Sequence, residues 1–248
     1  LVYTIIGFLL VCPDAKSSMG LPPVYYLYIA LKAIVIFIAW ICSFKAIKLL
    51  PLSFYGVLDL SRVLFATTLG VAVLGEKMLP LQIVGLILVC AGLLLLKFKP
   101  GKKDSFKDVP RSAVILALLS CMLNAVSGLL DKLLMKSISS SQLQFWFMLM
   151  LSLLYIGYAV ISKKQIVIKR ALTNKWIWIL SVMFIIGDRA LFLANGMADS
   201  RITVMTLIKQ SGCIVTILAG RFIFKEKNTT HKIICAAIII LGIVLGTL

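Results

Sequence analysis

PLSFYGVLDLSRVLFATTLGVAVLGEKMLPLQIVGLILVCAG, residues 51–92, is answered 150 positions later by RITVMTLIKQSGCIVTILAGRFIFKEKNTTHKIICAAIIILG, residues 201–242. Ser61 aligns with Ser211, Gly70 with Gly220, Glu76 with Glu226, Lys77 with Lys227 and Gly92 with Gly242. Each copy is strongly apolar and long enough for two membrane helices. Repeated sets of membrane helices are the construction plan of many secondary transporters, with the substrate site between the halves. The duplication therefore points to an all-α membrane protein and to transport before any single residue is weighed.

Composition agrees. Of the 248 residues 61% are hydrophobic, and the mean hydropathy is +1.07, against about 45–50% apolar residues in a soluble domain. The excess would cover a water-facing surface with apolar area, and a bilayer removes that cost. The net charge is +17. The basic residues do not form one face, as a nucleic-acid partner would require. They punctuate the apolar runs, as cytoplasmic loop residues do. Six cysteines, Cys12, Cys42, Cys90, Cys121, Cys213 and Cys235, show no CxxC or zinc-type spacing. No metal, disulfide or cofactor is expected from them. His231 falls in a charged loop and reads as solvated.

The apolar runs define nine segments: 1–11, 24–47, 51–74, 79–96, 112–135, 142–161, 175–197, 202–224 and 231–248. Pro13, Gly20, Pro22, Pro23, Pro51 and Pro80 mark breaks between them. The run Leu1–Val11 spans roughly half of a ~30 Å hydrocarbon core and reads as the tail of a helix whose start is absent. KFKPGKKDSFKDVPR, residues 97–111, is the one obvious linker. The expected organisation is a first repeat at 1–98, a basic linker at 99–111 and a second repeat at 112–248. Equal halves give two inverted-topology repeats of five transmembrane helices, ten in the intact protein and about nine here with the N-terminal helix missing. Counted by face, the loops carry 17 basic residues on one side and 4 on the other. The positive-inside rule then places the linker in the cytoplasm and the C-terminus outside. Trp40, Trp146, Trp176 and Trp178 lie near helix ends, where aromatic belts form.

Several stretches resemble one family: AWICSFKAIKLLPLS at 39–53, VAVLGEKMLPLQIVGLILVCAG at 71–92, SGLLDKLLMK at 127–136, and ILAGRFIFKEKNTTHKIICAAIIILGIVLG at 217–246. Together they look like the EamA-type branch of the drug/metabolite transporter superfamily. The shared pattern, present once per half, is a small-residue-rich helix ending in Gly-Glu or Lys-Glu, a short loop, and a helix with spaced glycines. The resemblance implies ten helices, a central cavity open to alternate faces, and both termini in the cytoplasm. That last implication runs against the loop-charge count. It also implies a small polar metabolite, amino acid or sugar-linked compound as cargo.

Ionisable side chains inside a bilayer cost about 2.5–3.5 kcal/mol each, so each one is a functional candidate. Asp59 and Arg62 share a helix face. The repeat alignment sets Asp59 opposite Lys209. These three are the leading substrate-binding residues, since Arg offers a planar fork to a carboxylate or phosphate and Lys a point charge. The alternative is an internal salt bridge. Asp188 lies deep in its segment beside Arg189 and is a candidate proton carrier. Gln210, Asn124, Ser61, Ser211 and Asn195 can bond substrate or hold helices together. Lys32 reads as snorkelling to the interface, and Asp131 and Lys132 as an interfacial pair meeting a loop. Glu76 and Glu226 read as structural, and glycines 70, 75, 85, 92, 220, 242 and 246 as packing points. The charges count five positive against three negative, which favours an anionic or zwitterionic substrate.

The leading reading is a secondary transporter, importer or exporter, of a small polar organic metabolite across the plasma membrane. Coupling is either to protons, through Asp59 or Asp188, or absent. No GxxxxGK[ST], HExxH or GxSxG motif occurs, which disfavours an ATP-driven pump and an intramembrane enzyme. The alternative is a lipid-carrier flippase or a non-transporting membrane scaffold. A nucleic-acid partner is not expected.

Overall fold

Proline and glycine set the helix boundaries of the computed structural model, which describes residues 5–8, 20–75, 80–97, 110–162, 173–195, 212–225 and 229–245. The helices are α1 (Pro23–Leu49), α2 (Leu52–Asp59), α3 (Arg62–Leu74), α4 (Pro80–Lys97), α5 (Arg111–Leu134), α6 (Ser140–Ile161), α7 (Lys175–Asn195), α8 (Gly212–Phe222) and α9 (Thr229–Leu245). No strand occurs among the described residues. Pro23 and Pro80 open α1 and α4, where a missing N–H costs nothing. Ser139 caps α6 through a reciprocal box with Gln142.

At the end of α3 the chain turns through Gly75 at φ 66°, whose amide bonds the Gly70 carbonyl. A Cβ on Gly75 would have nothing within 4 Å. Gly75 is thus a left-handed cap rather than the packing glycine expected. Its counterpart in the second copy, Lys225, takes the same left-handed turn at φ 49°.

Four spans among the described residues are long and apolar enough to cross a membrane: Pro23–Leu49, Leu52–Val73, Arg111–Leu134 and Ser140–Ile161. Pro80–Gly92 and Thr230–Leu245 are shorter apolar helices. Large apolar side chains lie exposed along α1 (Leu27, Ile34, Ile38), α6 (Ile156, Val160) and α7 (Trp176, Met183, Ile186). Lipid, not water, tolerates such a surface.

By packing, the chain divides into two units. One comprises Leu1–Phe37 and Leu130–Ser200, the other Ile38–Leu129 and Arg201–Leu248. Each therefore draws on sequence from both sides of the basic linker. In the first unit, Ile29, Ala33, Leu143, Met148, Leu151 and Ile185 are buried. Tyr26 meets Trp146 edge-on at 4.8 Å, and Phe37 meets Tyr155 at 5.0 Å.

The second unit has a core of Leu50, Phe54, Val57, Leu60, Val89, Ala113, Ala117 and Ile239, among others. Its most extensive packing joins α4 to α9. Two glycines paired by the repeat make that approach. A Cβ on Gly92 would collide with the Ile239 side chain, and one on Gly242 would lie 2.6 Å from the Gly85 carbonyl oxygen. These are packing glycines, as expected. His231 is not a loop residue. It lies in the first turn of α9 and its Nε2 is 3.0 Å from the carbonyl oxygen of Leu95 near the end of α4.

Candidate functional site

The run 51–74, expected as one helix, is interrupted where its charges lie. The amides of Leu60, Ser61, Val63 and Leu64 each bond the carbonyl three residues back instead of four. Val63 N–H, which a regular α-helix would send to the Asp59 carbonyl, goes to Leu60 instead. A tight step of this kind inside an apolar helix changes which carbonyls the helix uses, and such steps recur at functional hinges. No proline or glycine lies between residues 57 and 64 to force it.

Asp59 ends α2 and Arg62 begins α3, so the two charges flank the step. Arg62 Nη2 donates to Asp59 Oδ1 at 2.8 Å, the internal i,i+3 salt bridge that the sequence offered as the alternative to a substrate contact. The side chains remain 20% and 24% exposed, for Arg62 and Asp59 respectively. From α5 the Cys121 thiol approaches the same point. Its Sγ lies 3.6 Å from Asp59 Oδ1, 3.8 Å from the Leu58 carbonyl oxygen and 3.9 Å from the Asp59 carbonyl oxygen. Sequence reading treated Cys121 as a small hydrophobe, and only the fold places its proton beside the carboxylate. One turn before Asp59, Tyr55 OH and Ser43 Oγ are 2.6 Å apart.

Asn124, three residues after Cys121 on α5, is half-buried and donates to the Ser120 carbonyl at 2.8 Å. Its oxygen is the group left for another donor. Lys209 and Gln210 lie outside the described residues, as do Ser211, Glu76 and Glu226. The Asp59–Lys209 pairing therefore has no geometry to report.

In the first unit, Asp188 on α7 is half-buried. Arg189, beside it, turns to α6. Its Nη1 donates to Gln144 Oε1 at 2.8 Å and its Nη2 to Ser141 Oγ at 3.2 Å. Lys32 corrects the sequence reading. It does not snorkel: it is 2% exposed, pairs with Asp131 Oδ1 at 3.1 Å, and holds its ammonium 3.5 Å from the centre of the Phe147 ring. Asp131 is likewise buried, and meets α1 rather than a loop. The two lie 99 positions apart, so nothing local in the sequence announced the pair. Among the described residues no group of three or more His, Cys, Asp or Glu side chains is arranged to hold a metal ion.

The EamA-like transporter family model matches residues 1–98 and 111–248, nearly the whole chain. No curated protein matches it. A solved structure described only as "Crystal structure of protein" aligns with a TM-score of 0.58 at 15% identity, covering 100% of this chain and 98% of that one. At that identity the likeness is one of fold.

Proposed function

The chain belongs to the EamA-like transporter family, and from that premise we propose that it carries a small polar organic metabolite, anionic or zwitterionic, across the plasma membrane by alternating access. It is an integral multi-pass membrane protein and a membrane transporter of the drug/metabolite type. Its partners are accordingly a small-molecule substrate and the lipid bilayer. Members of such a family are transporters rather than typical enzymes.

One observation carries the site assignment: a partly exposed Asp59–Arg62 pair at an interrupted transmembrane helix. Interrupted helices are where transporters place their substrate and ion sites, because the displaced backbone groups and nearby charges are free to change partners. Charges in an apolar span are costly, and the cost of this local, partly exposed pair is better explained by use. On this reading Arg62 receives an acidic group of the substrate. Asp59 takes a basic group or a proton, and Asn124 adds a hydrogen bond from the neighbouring helix. Lys209 and Gln210, matched to Asp59 and Leu60 by the repeat, are proposed as their counterparts in a second, inverted repeat. The repeats are read as 1–98 and 112–248, joined by the basic linker 99–111. Asp188 is the second candidate for proton coupling.

The test is transport in both directions in proteoliposomes with Asp59→Asn and Lys209→Met. The expected result is loss of flux in each variant with normal insertion. Unchanged uptake and export in both would reject the site.

A further inference from the structure

Arg189 is an ionisable residue within an apolar helix, and its two hydrogen-bond partners are both neutral. It donates to the amide oxygen of Gln144 and the hydroxyl of Ser141, and among the described residues it has no carboxylate partner. A guanidinium has five N–H donors and accepts nothing, so two neutral acceptors leave most of its capacity unused. Charge in such a setting is costly unless compensated.

Gln144 adds a second, independent observation. It is 1% exposed, and its Nε2 has no hydrogen-bond partner among the described residues. The orientation of the amide is forced: Arg189 can only donate, so Oε1 must face it and the NH2 must lie on the other arm of the same amide. A buried donor without an acceptor is destabilising. The unused N–H groups of Arg189 and the unused NH2 of Gln144 are thus spare donors on two side chains already in contact, from α7 and α6.

We propose that Arg189 and Gln144 form a binding site for the carboxylate of a small organic acid, with Ser141 holding the guanidinium in place. A carboxylate is planar, offers two oxygens and accepts only, so it satisfies both side chains at once. Asp188 directly precedes Arg189, but consecutive helical residues point about 100° apart, and both side-chain bonds of Arg189 run to α6. The inference goes beyond the transporter reading by assigning an acid-binding site other than Asp59 and Arg62, and rests on that reading only for calling the ligand a cargo.

The experiment is thermal unfolding of the purified full chain in detergent with acetate, succinate, glutamate, inorganic phosphate and neutral succinamide as probes. At least one carboxylate is expected to raise Tm saturably by a few degrees, while succinamide and phosphate do not. Arg189→Gln is expected to weaken that apparent affinity about tenfold or more. Gln144→Glu supplies an internal carboxylate to Arg189, so Tm should rise without ligand and the response to added carboxylate should vanish. If Arg189→Gln does not fold, Gln144→Glu decides alone. Absence of any carboxylate response, an equal response to succinamide, a response to phosphate only, or an undiminished response in Gln144→Glu overturns the site. Binding is read without flux. Lost transport in Asp59→Asn with an intact carboxylate response therefore leaves this site standing, and normal transport with no response overturns this site alone.

Discussion

The two ion pairs, Lys32–Asp131 and Asp59–Arg62, use the same chemistry in opposite ways. The first joins α1 to α5 with side chains 2% and 5% exposed, and an aromatic face covers the ammonium. The second joins neighbouring turns of one span, with side chains 20% and 24% exposed. A sealed pair between distant segments holds two helices in register. The second is local and partly open: Asp59 and Arg62 are neighbours whether or not they bond, and Cys121 from α5 meets the same carboxylate. Its placement at a helix step fits the proposed transport role, and the contrast sets a sealed pair beside a candidate functional one.

The contrast breaks most visibly at the sealed pair. Asp131→Asn leaves the Lys32 ammonium buried without its counter-charge, and the expected loss is about 3–5 kcal/mol. It should appear as a large drop in unfolding temperature or as failed insertion. Replacing both partners with apolar residues, Lys32→Met with Asp131→Leu, should recover most of that loss, since a buried pair is often matched by hydrophobic packing. A mild effect of Asp131→Asn alone would mean that the pair is not sealed and that the two sites are alike.

The open pair should respond in the reverse pattern. Asp59→Asn keeps an acceptor for Arg62 and removes only part of a partly exposed, local interaction, so the stability change should stay within about 1 kcal/mol. Flux should nevertheless be lost. Unfolding temperature and transport measured on the same preparation separate the two. A stability loss as large as that of Asp131→Asn would make Asp59 a second structural anchor.

How much of this contrast was legible beforehand depends on whether the information is local. Apolar runs located the helices to within a few residues: 24–47 against Pro23–Leu49, 112–135 against Arg111–Leu134, 142–161 against Ser140–Ile161. The repeat picked out Gly92 and Gly242, and both lie at the α4–α9 contact. The spacing of Asp59 and Arg62 placed them on one face because three residues is a helical distance, and left their bond as one of two possible salt bridges. Lys32 and Asp131 meet only because tertiary packing brings them together, and periodicity carries no such signal. The step at Leu60 was equally silent, since bonding three or four residues back is chosen by surroundings where no proline or glycine decides it. His231 was misread because its charged neighbours suggested a loop, whereas α9 begins at Thr229 and takes His231 into its first turn. Lys209 and Gln210, half of the proposed substrate-binding pairings, have no described geometry.

The finest probe of the contrast is Cys121. Its thiol is buried in α5 with the Asp59 carboxylate at 3.6 Å and the Asp59 carbonyl oxygen at 3.9 Å. A thiol is a weak donor, and it has one proton to offer among these acceptors. Cys121→Ala should therefore cost about 1 kcal/mol or less in stability. If the step between α2 and α3 is part of the transport site, the same change alters the acceptors beside Asp59. It should lower flux several-fold, and Cys121→Ser, which restores a donor, should recover much of it. A packing role alone predicts no such rescue, because Ser fills the space less well than Cys and adds a polar group. Equal flux in the wild type and both variants would confine the site to the charges themselves and leave the helix step as local geometry.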